Sequence, residues 1–155
     1  MGKRDLGLLL LRLGAGSILM VHGYPKLFGG PEKEVPPVAT AILGPDYPGT
    51  VKSGGKEAFA NALRSMGVPE PELAAVASGL AEFGGGLALL LGVATRPAGL
   101  AAAINMAVAS YKVHGKQGLA SQGGYEFSAL LGLCALALAL TGPGDISIDH
   151  LLSKD

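Results

Sequence analysis

Four stretches of this chain, residues 6–27, 73–93, 97–113 and 124–140, are apolar enough to leave few folds open. A helix of a soluble bundle keeps a polar outer face with a 3.6-residue period, whereas Leu87 to Leu91 and Leu130 to Leu140 are apolar on every side. About 20 apolar residues cross a hydrocarbon core, and each stretch approaches that length, the last two at the short end. The reading is an all-α chain: one integral membrane domain, a four-helix bundle, over residues 1–155.

The ends of these spans carry physical signals. Pro69-Glu70-Pro71-Glu72 places prolines and acids where a helix begins, and Pro97 suits the first turn of the third helix. Gly142-Pro143-Gly144 stops the fourth. Only Ala94-Thr95-Arg96 joins the second and third, which makes them antiparallel neighbours. Lys3 and Arg4 before Leu6 to Leu11 imitate a signal peptide, but Arg12 interrupts the apolar region and no clear cleavage site follows. That segment is therefore expected to remain as a transmembrane helix.

The first connection, 28–72, is long and proline-rich, and most of it is expected to be irregular. Phe59, Leu63 and Met66 recur there at helical spacing beside Lys56, Glu57 and Arg64. They predict a short amphipathic helix at the interface or over the end of the bundle.

Twelve basic and twelve acidic residues cancel, so nothing points to nucleic acid or to an acidic partner; the contact expected is membrane lipid. The single Cys134 excludes an intramolecular disulfide and any Cys-x-x-Cys couple, so electrons, if they pass, travel on something bound. Ala75, Gly79, Glu82 and Gly86 share one side of the second helix, while Gly99, Ala103 and Ala107 repeat on the third. Such faces suit close packing within one chain or between copies in a homo-oligomer.

Charges inside the spans single out the candidate site. A charge at a helix centre costs about 2.5 to 3.5 kcal/mol on insertion scales, so it normally faces a cavity, a partner or a substrate path. At about 1.5 Å per residue, Arg12, Glu82 and Asn105 are expected to share a middle layer, with Arg12 and Glu82 as an interhelical pair. His22, Lys26, Lys112, His114 and Glu126 are expected nearer the opposite face. His22, Glu82 and Glu126 are the candidate acid-base groups, His22 because imidazole exchanges protons near neutral pH. Arg12, Lys26, Asn105, Lys112 and His114 are the candidate ligand-binding groups. Each also has a structural reading: Lys26 and Lys112 as snorkelling anchors, Glu126 as a favourable acid at a helix start. No helix carries Glu-x-x-His, and no metal site is expected. Lys3, Arg4, Arg96 and Lys154 mark one face. Lys26, Lys33, Lys52, Lys56, Arg64, Lys112 and Lys116 mark the other, a tally that favours the cytoplasm for the connections on that second face.

Several motifs in order resemble the DoxX family of small four-helix integral membrane proteins. Leu11-Arg12-Leu13 followed by His22-Gly23-Tyr24-Pro25-Lys26-Leu27 is similar to its first-helix signature, and Ala81-Glu82-Phe83-Gly84-Gly85-Gly86 to its second. Thr95-Arg96-Pro97, His114, Gly124-Tyr125-Glu126 and the run from Gly142 to Asp149 complete the set. The resemblance implies a bacterial or archaeal cytoplasmic membrane. It also implies a link to quinone-dependent oxidoreductases, such as thiosulfate:quinone oxidoreductase and terminal quinol oxidase assemblies, with Arg12, His22, Lys26, Glu82, His114 and Glu126 as candidates. Quinone is then the expected cofactor, and a redox partner subunit supplies the electron carrier this chain lacks. The alternative is a non-enzymatic partner or assembly factor that docks a redox protein through the long loop; a proton-coupled carrier is a third reading, supported by no inverted repeat.

Overall fold

A computed structural model describes residues 2–153; Lys154, counted above with one face, lies outside them. The described residues are helical, with turns and no strand. Helix α1 (Lys3–Phe28) is followed by three short helices, α2 (Pro37–Leu43), α3 (Tyr47–Lys52) and α4 (Lys56–Ser65). Next, α5 (Pro71–Gly79), a π-helical turn (Leu80–Gly84) and α6 (Gly85–Leu91) run on as one rod, Pro71–Leu91. α7 (Thr95–Val108) continues into a second π-helical turn (Ala109–Val113), and α8 (Glu126–Thr141) and α9 (Ile148–Leu152) complete the chain.

Two helices, Lys3–Phe28 and Pro71–Leu91, are long and apolar enough to cross a membrane; Glu126–Thr141 is apolar but only 16 residues long. Leu10, Leu73, Leu100, Leu130, Leu133 and Leu140 project outward with more than half of their surface exposed. Leucines on an outer face are a liability in water and a match to lipid.

Glycine sets the helix spacing. α1 and the Pro71–Leu91 rod run antiparallel and nearly in backbone contact. A Cβ on Gly16 would sit 2.7 Å from the Gly86 carbonyl, and one on Gly23 would sit 2.3 Å from the Phe83 nitrogen. α7 and α8 repeat the arrangement, with Gly99 against the Ala135 carbonyl at 2.7 Å. Of the small-residue faces expected from the sequence, Ala75, Gly79, Glu82 and Gly86 are all buried; on α7 Gly99 is buried and Ala103 partly so, while Ala107 is exposed and lies off the contact face. Between the rods lie Leu19, Leu89, Ala102, Ala135 and Leu138, all fully buried.

The first connection departs from the expectation of irregular chain. Pro37 begins α2 and Pro48 lies in the first turn of α3, positions where the missing N–H costs nothing, so the prolines start helices there. The segment is also tied to the end of α1: the Gly55 amide donates to the Pro25 carbonyl at 2.8 Å, Gly30 to Val51 at 2.9 Å, and the Tyr47 hydroxyl to the Val21 carbonyl at 3.1 Å. The amphipathic helix is present as α4. It packs on α5 through Ala60, Leu63 and Ala75, across that end of the rods.

Candidate functional site

Glu82 is 1% exposed at the centre of the π-helical turn of the second rod. Its Oε1 receives the Lys26 ammonium at 2.5 Å and the Asn105 side-chain amide at 2.9 Å. Its Oε2 is buried and has no hydrogen-bond partner among the described residues. Three helices thus meet at one carboxylate oxygen and leave the other unused. A helix directs its side chains back toward its own N-terminus, which is why Lys26, in the last turn of α1, leans inward onto Glu82. Across Lys26 lies Phe59 of α4, its ring centroid 4.8 Å from Nζ, a cation–π contact that closes the group from the loop side.

This trio forms part of the wall of a cavity of about 720 Å³. Phe59, Leu63 and Met66 of α4 form one side, Ala81 and Glu82 another, and Ile104, Asn105 and Val108 of α7 the third. Lys112 and His114 line it where α7 ends. The Lys112 ammonium is 5.5 Å from the Tyr111 ring centroid, and His114 Nδ1 donates to the Gly123 carbonyl at 2.8 Å. The composition, apolar with a few convergent polar groups, is that of a small-molecule site.

Five of the eight sequence candidates, Lys26, Glu82, Asn105, Lys112 and His114, therefore share one cavity. The other three are elsewhere. Arg12 does not pair with Glu82, contrary to expectation. Its guanidinium donates to the carbonyls of Leu89 (2.8 Å), Leu90 (3.1 Å), Pro143 (2.9 Å) and Ile146 (2.6 Å). Leu89 is seven residues beyond Glu82, about 10 Å along the rod. The same rule that turns Lys26 inward turns Arg12, near the start of α1, outward to the opposite end. The middle layer expected for Arg12, Glu82 and Asn105 thus reduces to Glu82 and Asn105, with Lys26 taking the place of Arg12. His22 is exposed beside Phe127, ring centroids 6.0 Å apart, and does not line the cavity. Glu126 is exposed in the first turn of α8 and does not line it either.

Sequence reasoning missed three contributors. The π-helical turns at Leu80–Gly84 and Ala109–Val113 widen two of the three helices that carry polar groups to the cavity, a feature often found at functional sites. Their one signal in the sequence is the Gly84-Gly85-Gly86 run after Glu82. Phe59 shows in the sequence only as part of an amphipathic stripe, and its place over Lys26 comes from the packing of α4. At the far end, Asp149 accepts from the amides of Ala94 (2.7 Å) and Thr95 (2.9 Å), which caps α7 and holds Ala94 at φ 47°, a strained left-handed value. Burial pushes the Asp149 carboxyl up, but the two amides and the Arg12 charge outweigh it and hold the group below the usual carboxylate range.

The comparisons with known proteins give the family. The DoxX family matches residues 7–115, about two thirds of the chain and inclusive of every cavity residue named above. This chain belongs to the DoxX family. It is 36% identical over 103 residues to the inner membrane protein YqjF of Escherichia coli (strain K12), a match covering 59% of this chain and 70% of that one. No solved structure matches. As a DoxX protein the chain is an integral protein of the cytoplasmic membrane, which accounts for its leucine-covered exterior.

Proposed function

We propose that this DoxX protein spans the membrane as a four-helix bundle and serves as a subunit of a quinone-linked oxidoreductase system, its intramembrane cavity taking a quinone or a similar small ligand. The observation that carries the reading is Glu82: a buried carboxylate with two donors on one oxygen and none on the other, in the wall of an apolar cavity. A purely structural ion pair would use both oxygens, since a buried acceptor without a donor costs free energy. Phe59, Met66 and Val108 suit an apolar ring and tail, while Lys26, Asn105 and Glu82 suit its oxygens. In this reading Glu82 is the acid-base group, Lys26 and Asn105 orient it, and Lys112 and His114 stand at the mouth. Arg12 holds the bundle. His22 and Glu126, outside the cavity, take no part in binding. The electron carrier belongs to a bound cofactor or a partner subunit.

The test is gentle extraction followed by mass spectrometry of bound small molecules in the wild type and in Glu82→Gln. A quinone present in the first and lost from the second is the expected result. Phospholipid alone in both overturns the reading and returns attention to the long loop as a docking surface for a redox protein.

A further inference from the structure

The geometry points to a second site, a cleft that holds one anionic phospholipid with an acyl chain between α7 and α8 and its phosphate at Lys112 and Lys116. It takes α7 and α8 as membrane spans, as proposed above, and does not depend on the quinone reading. The cleft has a volume of about 630 Å³ and shares no lining residue with the Glu82 cavity. Ala103 and Ala107 of α7 line it, with Ala129, Gly132, Leu133 and Leu136 of α8. α7 presses on α8 near its start, where Gly99 meets Ala135 and Ala139, while the π-helical turn Ala109–Val113 packs on α8 only lightly. The two helices therefore part toward the end where the lysines lie.

Inside, the cleft suits hydrocarbon. The hydroxyls of Ser110 and Ser128 lie 2.8 Å apart, with the carbonyls of Met106 and Tyr125 as their further acceptors, so neither needs a ligand. Its mouth suits an anion. Tyr111 and Tyr125 stand there as tyrosines stand at a membrane interface. The Lys112 ammonium is 5.5 Å from the Tyr111 ring centroid, and Lys116 follows Gly115 of the cleft wall. Residues 105–125 contain these two lysines and no Asp or Glu, and among the described residues neither lysine pairs with an acid. Glu126, exposed in the first turn of α8, is the nearest acid in sequence. An apolar cleft that ends in uncompensated positive charge fits a molecule with hydrocarbon at one end and an anion at the other. A second copy of the chain fits less well. Copies in one membrane share their orientation, so a pair joined through this face would set four lysines at one depth without a counter-charge.

The experiment places the full chain in nanodiscs of equal phosphatidylglycerol and phosphatidylethanolamine with the same acyl chains, and counts retained lipid by native mass spectrometry. Phosphatidylglycerol should be retained over phosphatidylethanolamine by about tenfold or more, and Lys116→Gln should lower that ratio about fivefold. Ala107→Phe fills the cleft from an exposed position and should abolish the preference. Ala101→Phe, which intrudes on the Glu82 cavity instead, should leave it unchanged. Equal retention of the two lipids in the wild type overturns the inference, and so does a preference that persists in Ala107→Phe. A preference lost in Ala101→Phe and kept in Ala107→Phe overturns it by moving the lipid to the Glu82 cavity. A wild-type dimer that Ala107→Phe disperses overturns it by giving the cleft to a second copy. Should Ala107→Phe fail to fold, Ala129→Leu takes its place on the opposite wall, with the same loss expected.

Discussion

Arg12 and Glu82 are buried to nearly the same extent, 2% and 1% exposed, yet they end in opposite circumstances. Arg12 spends its guanidinium on four backbone carbonyls, two at the end of the Pro71–Leu91 rod and two in the segment after α8. Gly92, at the turn between, has φ +69°, and a Cβ there would lie 2.6 Å from Arg12 Cζ, so the turn is built around the side chain. Glu82 has half of its hydrogen-bonding capacity unused and stands in the wall of a cavity. A buried charge that is fully satisfied holds a structure together, whereas one left half-satisfied carries an unmet acceptor at a cost in free energy. One end of the molecule is fastened and the other is open.

The largest expected effect falls at the fastened end. Arg12→Met strands carbonyls of Leu89, Leu90, Pro143 and Ile146 and should cost about 3–5 kcal/mol in a detergent unfolding measurement. Arg12→Lys should recover little, because a point charge cannot span four carbonyls as the planar fork does. Stability close to wild type for Arg12→Met would break the comparison.

Next come the glycines that set the spacing of α1 and the second rod. Gly23→Ala places a methyl 2.8 Å from Glu82 Cβ and closer still to the Phe83 backbone, so the helices must separate, at about 1–3 kcal/mol. The Lys26–Glu82 pair should loosen with them, and loss of bound ligand should accompany the loss of stability. Gly14→Ala, in the same helix and with nothing within 4 Å of the added methyl, is the control and should leave ligand binding unchanged.

A smaller effect sharpens the contrast from the C-terminal side. Asp149→Asn weakens the cap of α7 and should cost about 1 kcal/mol at neutral pH. Because the folded group is held below its ordinary value, its stabilisation is complete above the unfolded value near 3.9 and is lost as the pH falls through the lower folded one. Wild type and Asp149→Asn should therefore converge only in acid below about pH 4, as thermal midpoints across pH would report.

The smallest stability change is expected where the functional change is greatest. Glu82→Gln keeps an oxygen for Lys26 and Asn105, removes an acceptor that had no donor, and leaves Lys26 a quarter exposed and able to turn toward the interface. Unfolding should shift by less than about 1 kcal/mol while ligand is lost. A large destabilisation instead would put Glu82 in the same class as Arg12.

Much of this organisation is legible in the sequence. The ends of the long helices follow from Pro71, Pro97 and Gly142, because proline and glycine act through local backbone constraints that need no neighbours. The buried face Ala75, Gly79, Glu82, Gly86 follows from helical periodicity. The helices in the first connection are less legible, since prolines at helix starts look like prolines in irregular chain until the turn after them is seen. α9 is likewise set locally, by Ser147 accepting from the His150 amide, but within a five-residue helix too short to announce itself.

The sequence by itself determined that the chain is helical, apolar outside, tightly packed along its glycines, and obliged to partner a few charges inside the spans. Period, composition and spacing carry that much because each acts within one helix. Which charges meet was decided only by the tertiary structure. An arginine side chain near the start of α1 and a lysine near its end lean in the same direction along that helix, and only the position of the antiparallel neighbour makes one a fastening and the other a partner for Glu82. Depth counted along separate helices cannot supply that offset, because glycine contacts set how far each rod slides against the next.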